Sequence, residues 1–396
     1  MKCLIIGGGG PVGIALLYFI KQLGWTCTVV DPALPAQIET HRKTLGASLE
    51  HWIAQPYTLA DLESHLTGEK FDAVIDLAPT FDKRQSITLC DRLGVSLINS
   101  TMVDYKDDIH IAAYNFLDAR PTATRCPHIV ASGMNPGAVN AMAEEIIAEH
   151  EVPDAIVVWE YDNSTPHDGI FRNSATTWCK GESHDEITCD WNFEVIEEGT
   201  IELHEDALDW DMESFSTAGI PLDTLPIPPE GEAFLIGHEE CVYMGWRHDT
   251  SAKFIYGLHP ENMEWIRRNS YDGKPDLLVC QPGKMILGRD IVGVSCHYEE
   301  DGIWQGQYCM LENTPATPSD TNATCILVAA GIAASAIVIA QGKLSPGVYL
   351  THEAEGFMTA FRSLVTVHQC TVHDVPPVEP GQVARKALVS PAVRKI

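Results

Sequence analysis

A run of glycines between an apolar strand and a helical pattern limits most tightly what this chain can fold into. Residues 2–6 (KCLII) read as a short β-strand. Gly8, Gly10 and Gly13 follow in G-x-G-x-x-G spacing, and Val12 to Leu23 carries amphipathic helical periodicity. A second apolar strand, residues 26–30 (TCTVV), ends at Asp31. Strand, turn, helix and strand in this order predict a dinucleotide-binding βαβ unit. The first glycine permits the tight turn, the second lets backbone approach a pyrophosphate, and the third lets helix and strand pack closely. Pro11 and Val12 open the helix, whose positive N-terminus faces the negative charge. Asp31 stands about twenty residues beyond the glycines, where a carboxylate accepts hydrogen bonds from ribose hydroxyls and repels a 2′-phosphate. The expected cofactor is therefore NAD, bound by Gly8, Gly10, Pro11, Val12, Gly13 and Asp31.

The alternation continues. Phe71 to Leu77 and Ser96 to Ile98 read as strands, with a helix from Arg84 to Leu93, and this predicts a parallel sheet. From Ala155 to Ile201 the pattern changes to longer strands such as AIVVWEYD, and Met285 to Met310 again reads as strands. The expected fold class is α/β: a Rossmann-type parallel-sheet domain plus an α+β substrate and dimerisation domain with a mainly antiparallel sheet. The expected division is 1–130 for NAD, 131–320 for substrate and dimerisation, 321–374 for a buried helix and elements packing back, and 375–396 for a Pro-rich, mildly basic tail.

Charge narrows the partners. The formal net charge of -29 argues against nucleic acid and an anionic membrane, whose phosphates would be repelled. Between Glu144 and Glu240 the basic residues are Arg172 and Lys180, against 26 acidic ones. A cationic substrate suits that imbalance, as does general solubility. Ala323 to Ala340 is just long enough to span a bilayer, but its Ala, Gly and Ser content and lack of a positive flank predict a buried helix. The twelve cysteines contain no C-x-x-C pair and the sixteen histidines no H-E-x-x-H spacing. Buried free thiols, no metal and a cytoplasmic location are expected.

Several polar residues stand out beyond the glycine turn: Glu160, Asp162, Trp178, Glu186, His238 and Glu240. Singly, each has a structural reading. Trp178 could be core, Glu160 and Asp162 could line a solvated sheet face, and His238 could be a core histidine after AFLIG. Glu186 lies in an acidic surface-type stretch.

The run GMNPGAVN at 133–140 resembles the G-x-N-P-G segment of bacterial homospermidine synthases, relatives of the saccharopine dehydrogenases. Glu160 and Asp162 match that family's E-x-D pair, and Trp178 its active-site tryptophan. Glu186 matches an acidic residue downstream, and FLIGHEE its F-L-x-x-H-x-E segment at His238 and Glu240. LHP at 258–260 and NAT at 322–324 also match, and Asp104 stands where the family has a glutamate. The resemblance runs, with gaps, over about residues 4 to 365. Where the family has an acidic residue after the fourth strand, this chain has Thr80, with Asp82 two positions on.

The resemblance implies a homodimeric transferase that joins two putrescines, or putrescine and spermidine, to homospermidine with loss of ammonia. In it NAD acts as a prosthetic hydride carrier. It assigns catalysis to Trp178, Glu186, His238 and Glu160, and substrate binding to Asp104, Asn135, Asp162 and Glu240. Asn135 is also expected at the nicotinamide. The indole of Trp178 would lie over an iminium, the carboxylates would hold ammonium ends, and His238 would be a base or anchor. Two alternatives stay open. One is a saccharopine- or carboxyspermidine-type NAD(P)-dependent dehydrogenase, with Arg172, Lys180, Arg247 or Lys253 as a carboxylate clamp. The other is a catalytically silent NAD-binding scaffold.

Overall fold

Lys2–Ile6 (β1) lies inside a seven-stranded parallel sheet whose order explains where a ligand can enter. The structure, a computed structural model, describes residues 1–32, 35–78, 82–101, 109–166, 175–176, 192–196, 200–204, 213–214, 232–269, 278–279, 286–313, 321–373 and 394–395. The chain divides into two units. The first comprises Met1–Asp104, Ala119–Ala141 and Ala316–Val365, the second Tyr105–Asp118, Met142–Pro315 and Thr366–Ile396.

In the first unit β1 is followed by Thr26–Val30 (β2), Leu49–Ile53 (β3), Ala73–Asp76 (β4), Ser96–Asn99 (β5) and Pro127–Val130 (β6). The spatial order is Gly347–Leu350, β6, β5, β4, β1, β2, β3, with every pair parallel. Cys3 to Ile6 and Ala73 to Ile75 are buried on both faces, which is why these strands read as unbroken apolar runs. The helix Pro11–Gln22 starts with proline at its first position, where no amide hydrogen is needed, and buries Leu16, Leu17, Phe19 and Ile20. The helix Lys83–Leu93 is capped by the Asp82 carboxylate, which accepts from the Gln85 amide at 2.9 Å, and it ends on left-handed Gly94 (φ 72°). The expected helix and strand positions hold, with ends shifted by a residue or two.

The apolar segment Ala323–Ala340 is a helix of this unit, packed along Pro11–Gln22. It is long and apolar enough to cross a membrane, yet 78% of it is buried within the protein. Its small residues have a local cause. A Cβ on Gly331 would lie 2.1 Å from the Gly133 carbonyl oxygen, and Ser335 accepts a hydrogen bond from the Ser132 hydroxyl at 2.7 Å.

The second unit is built on a ten-stranded sheet. Ala155–Asp162 is central, antiparallel to Asp290–Glu300 and parallel to Ser251–Leu258. Ile303–Asn313 and Val367–His373 extend one side in antiparallel register. Asn192–Ile196, Thr200–His204 and Glu232–Ile236 lie beyond Ser251–Leu258. The sheet is therefore mainly antiparallel but mixed at its centre. The parallel pair joins strands nearly ninety residues apart in sequence, a register that strand composition alone does not reveal.

Candidate functional site

The sheet order of the first unit reverses between β1 and β4, and Asp76 and Ile6 end these neighbouring strands. In open parallel sheets ligands enter beyond the carboxyl ends of strands at such a reversal. The glycine turn sits there, and its residues have separate causes. A Cβ on Gly8 would lie 2.8 Å from Val29 Cγ1, and one on Gly13 would lie 2.5 Å from Gly8 Cα. These two glycines serve packing of strand and helix. A Cβ on Gly10 would meet, among the described residues, only the Gly7 oxygen, at an ordinary 3.5 Å. Among the described residues no packing requires glycine at that position, whereas the approach of a diphosphate would.

Asp31 completes this arrangement. Its Oδ2 accepts from the Gly9 amide at 3.0 Å, which holds the carboxylate beside the turn. Its carbonyl oxygen accepts from the Trp52 indole at 3.0 Å, and Trp52 in turn stacks on His41, with centroids 5.5 Å apart and planes 7° from parallel. Burial lowers the His41 pKa, opposed by the nearby Asp31 charge, so the stacked ring favours the neutral form. At the end of β4 the buried Asp76 accepts from the Ala78 amide at 3.1 Å and from Asn99 Nδ2 at 3.3 Å. The site therefore fits a dinucleotide with free ribose hydroxyls. Trp52 and Asp76 were not among the expected site residues. Asp76, a carboxylate inside the apolar run AVID, carried the only signal.

Asn135 lies in the same unit, on a turn that folds back on itself. Gly133 and Gly137 form an isolated bridge, and Gly137 (φ 137°) has no room for a Cβ, which would lie 2.4 Å from the Gly133 oxygen. The Asn140 side chain accepts from the Gly137 amide at 2.9 Å, and the Thr351 hydroxyl donates to the Gly137 oxygen at 3.0 Å. These bonds fix the turn, and Asn135 at its tip is half-buried. Asp82, by contrast, is engaged as a helix cap, and Thr80 lies outside the described residues.

In the second unit, strand alternation puts Glu160 and Asp162 on one face of the sheet. Both are buried, at 4% and 3% exposure. Register adds a third carboxylate that the sequence reading did not single out: Asp290, at 0%, is the direct partner of Asp162, and Asn313 is the partner of Asp290. Tyr256 stands opposite Glu160 on the other neighbouring strand. The Ser164 amide donates to Asp162 Oδ1 at 2.9 Å, while the buried Ser164 hydroxyl has no partner among the described residues.

Two described cations on or beside the neighbouring strands, Lys253 and Arg289, belong to the opposite face. Lys253 is level with Val157, and Arg289 pairs with Glu312 at 2.7 Å. Arg247 is engaged with Glu144 at 3.1 Å and lies over the Tyr243 ring. Arg172 and Lys180 lie outside the described residues.

His238 precedes the helix Glu239–His248, and its Nδ1 makes a short hydrogen bond with Glu240 Oε2. A proton held on Nδ1 by the carboxylate puts the ring's basic lone pair on Nε2, the arrangement of an oriented base. Its ring lies 4.9 Å from that of Phe254, which shares the carboxylate face with Tyr256. Glu240 is wholly buried, and its Oε1 has no partner among the described residues. His259 directly follows the strand residue opposite Asp162, and its amide donates to the Asp162 carbonyl at 3.0 Å. Burial lowers its pKa against the opposing pull of Glu261 and Asp162. Asp104, Trp178 and Glu186 lie outside the described residues, so the structure places neither the expected indole nor its acidic neighbour.

Asp91, Cys126 and His128 form a separate His, Cys and Asp group in the first unit. It is not built for a metal. His128 Nδ1 accepts the Leu97 amide at 3.0 Å, so the neutral ring keeps its proton on Nε2, the nitrogen that faces Asp91 and Cys126. Burial also pushes the Cys126 thiol up to about 11. Cys3, Cys27, Cys90, Cys241, Cys296, Cys309 and Cys325 are buried free thiols, and Cys126 is a half-buried one.

No protein-family model and no curated protein sequence matches the chain. Solved structures do match. The homospermidine synthase of Legionella pneumophila, solved in complex with NAD, superposes with a TM-score of 0.71 at 15% identity, over 98% of this chain and 95% of that one. The apo saccharopine dehydrogenase (L-Glu forming) of Saccharomyces cerevisiae superposes with a TM-score of 0.61 at 12% identity, over 94% and 99%. The chain shares the fold of these two enzymes across nearly its whole length.

Proposed function

We propose that this protein is an NAD-dependent enzyme that joins two amines of the putrescine type, releasing ammonia, as a homospermidine synthase does. The observation that carries this reading is the buried face with Glu160, Asp162 and Asp290, from which alternation turns Lys253 and Arg289 away. A face of buried carboxylates suits a cationic ligand. A doubly protonated diamine has that charge, whereas a substrate with its own carboxylate would call for an arginine or lysine, and the described residues place none on this face. The glycine turn and Asp31 supply the seat for NAD, and the Legionella enzyme of this fold was solved with that cofactor bound.

Bound NAD would accept hydride from the carbon bearing one amine and later return it, so the overall reaction has no net oxidation. The chain's own residues do the rest. Glu160, Asp162 and Asp290 hold ammonium ends and keep the substrate's charge in a dry setting. An attacking amine must be neutral. His238, oriented by Glu240, takes that proton on Nε2, and the same proton is available to the departing ammonia. Trp178 and Glu186 belong to this proposal as the ring over the iminium and its acidic partner.

Incubation of the enzyme with putrescine and a catalytic amount of NAD tests the reading. Homospermidine and ammonia in equal amounts, without lasting absorbance of NADH, are expected. Steady accumulation of NADH would identify a net dehydrogenase of the saccharopine type instead. Binding of NAD without turnover of any diamine would leave a scaffold.

A further inference from the structure

The helix Ala323–Ala340 begins beside the helix of the glycine turn. The Thr321 hydroxyl donates to the carbonyl of Pro11, the first residue of that helix, at 3.4 Å. Asn322 caps the new helix by accepting the Cys325 amide at 2.8 Å. Two helix N-termini of the same unit therefore meet at one place, each with a positive end.

Thr324, the second residue of the later helix, is 3% exposed, and its hydroxyl has no hydrogen-bond partner among the described residues. A buried hydroxyl without a partner is costly, and native structures retain one where a ligand or water completes it. Side chains in helices lean toward the N-terminus, so the Cβ of Thr324 leans toward the end of its helix that meets Pro11. The amide of the same residue, in the first turn, has no acceptor within the helix either. Asn322 satisfies the amide of Cys325 and not that of Thr324.

We infer that Thr324 is a second anchor for the diphosphate of the dinucleotide, its hydroxyl and amide acting together with the glycine turn. This rests on the reading of that turn as an NAD site. It gives the apolar helix a binding role at its N-terminal end, in addition to its packing against Gly133. Diphosphate oxygens suit both donors, since two helix ends already favour negative charge there.

The test compares Thr324→Val and Thr324→Ser with the unaltered protein by calorimetric titration with NAD, ADP-ribose and adenosine. Thermal unfolding of each protein without nucleotide is measured alongside. Valine keeps the shape and removes the hydroxyl. It should weaken NAD and ADP-ribose alike by about tenfold, leave adenosine unchanged, and leave the ligand-free Tm equal or higher, because an unsatisfied buried group has been removed. Serine should bind within about twofold of the unaltered protein. Unchanged affinity of the valine variant for NAD and ADP-ribose overturns the inference, as does a loss for NAD that ADP-ribose does not share. A lowered ligand-free Tm with normal affinity marks a structural hydroxyl and overturns it too. If the unaltered protein binds neither nucleotide, the NAD reading fails at the outset, and that outcome is distinct from the others.

Discussion

Asp162 and Asp290 stand directly opposite each other on neighbouring antiparallel strands, on one face of the sheet, and both are buried. Directly paired residues place their Cβ atoms about 5 Å apart. Two carboxylates at that spacing repel unless a proton or a cation lies between them. A diamine seated between them would supply such a cation.

Asp290→Asn separates binding from folding. Asparagine keeps the shape of the side chain, so the ligand-free protein should still unfold in one cooperative transition. The substitution should raise the KM for putrescine by about tenfold, the scale of one charge-assisted hydrogen bond. Steady-state assays of homospermidine formation and a thermal melt decide it. A KM that stays put would remove Asp290 from the substrate site.

Gly10 and Gly13 should respond differently to alanine. Gly13→Ala forces a Cβ to 2.5 Å from backbone and should destabilise the first unit by about 1–3 kcal/mol. Gly10→Ala meets only an ordinary contact at 3.5 Å, so the Tm should be kept while NAD affinity falls at least tenfold. Melts and NAD titrations of the two variants check both halves of the contrast.

His297 makes stability depend on pH. It is wholly buried with neither ring nitrogen bonded among the described residues, and burial, with help from Lys253, lowers its pKa to about 3. As pH falls below about 6.5 the unfolded chain takes up a proton that the folded chain refuses. Stability therefore declines from about pH 6.5 down to about 3, by up to about 1.4 kcal/mol per pH unit for this one ring. His128 is shifted in the same direction by its burial and adds to the slope. In His297→Phe the fall in urea-unfolding free energy between pH 6.5 and 5 should be smaller by about 2 kcal/mol. An equal fall in both proteins would show that His297 does not govern this range.

The nucleotide half of the molecule was legible because its signals are contiguous. Gly8, Gly10, Gly13 and Asp31 lie within a single βαβ unit, so local spacing carries their geometry. Glu160 and Asp162 could be put on one face from alternation alone. Asp290 could not be joined to them, because strand pairing across a long separation is a property of tertiary register. Asn313 and Tyr256 were hidden for the same reason. The role of Trp52 depends on which backbone carbonyl its indole meets, and no spacing rule encodes that. The free cysteines were foreseeable from their scatter and their apolar neighbours.

The parallel sheet that opens at Lys2 receives its last strand, Gly347–Leu350, from the far end of the chain. During synthesis β6 therefore leaves the ribosome with an unpaired edge, and the Met142–Pro315 part of the second unit is translated before the strand that covers it exists. Exposed edges of this kind recruit other chains. The nucleotide-binding sheet is thus vulnerable to misassembly for most of translation, and it is sealed only when residues 347–350 emerge.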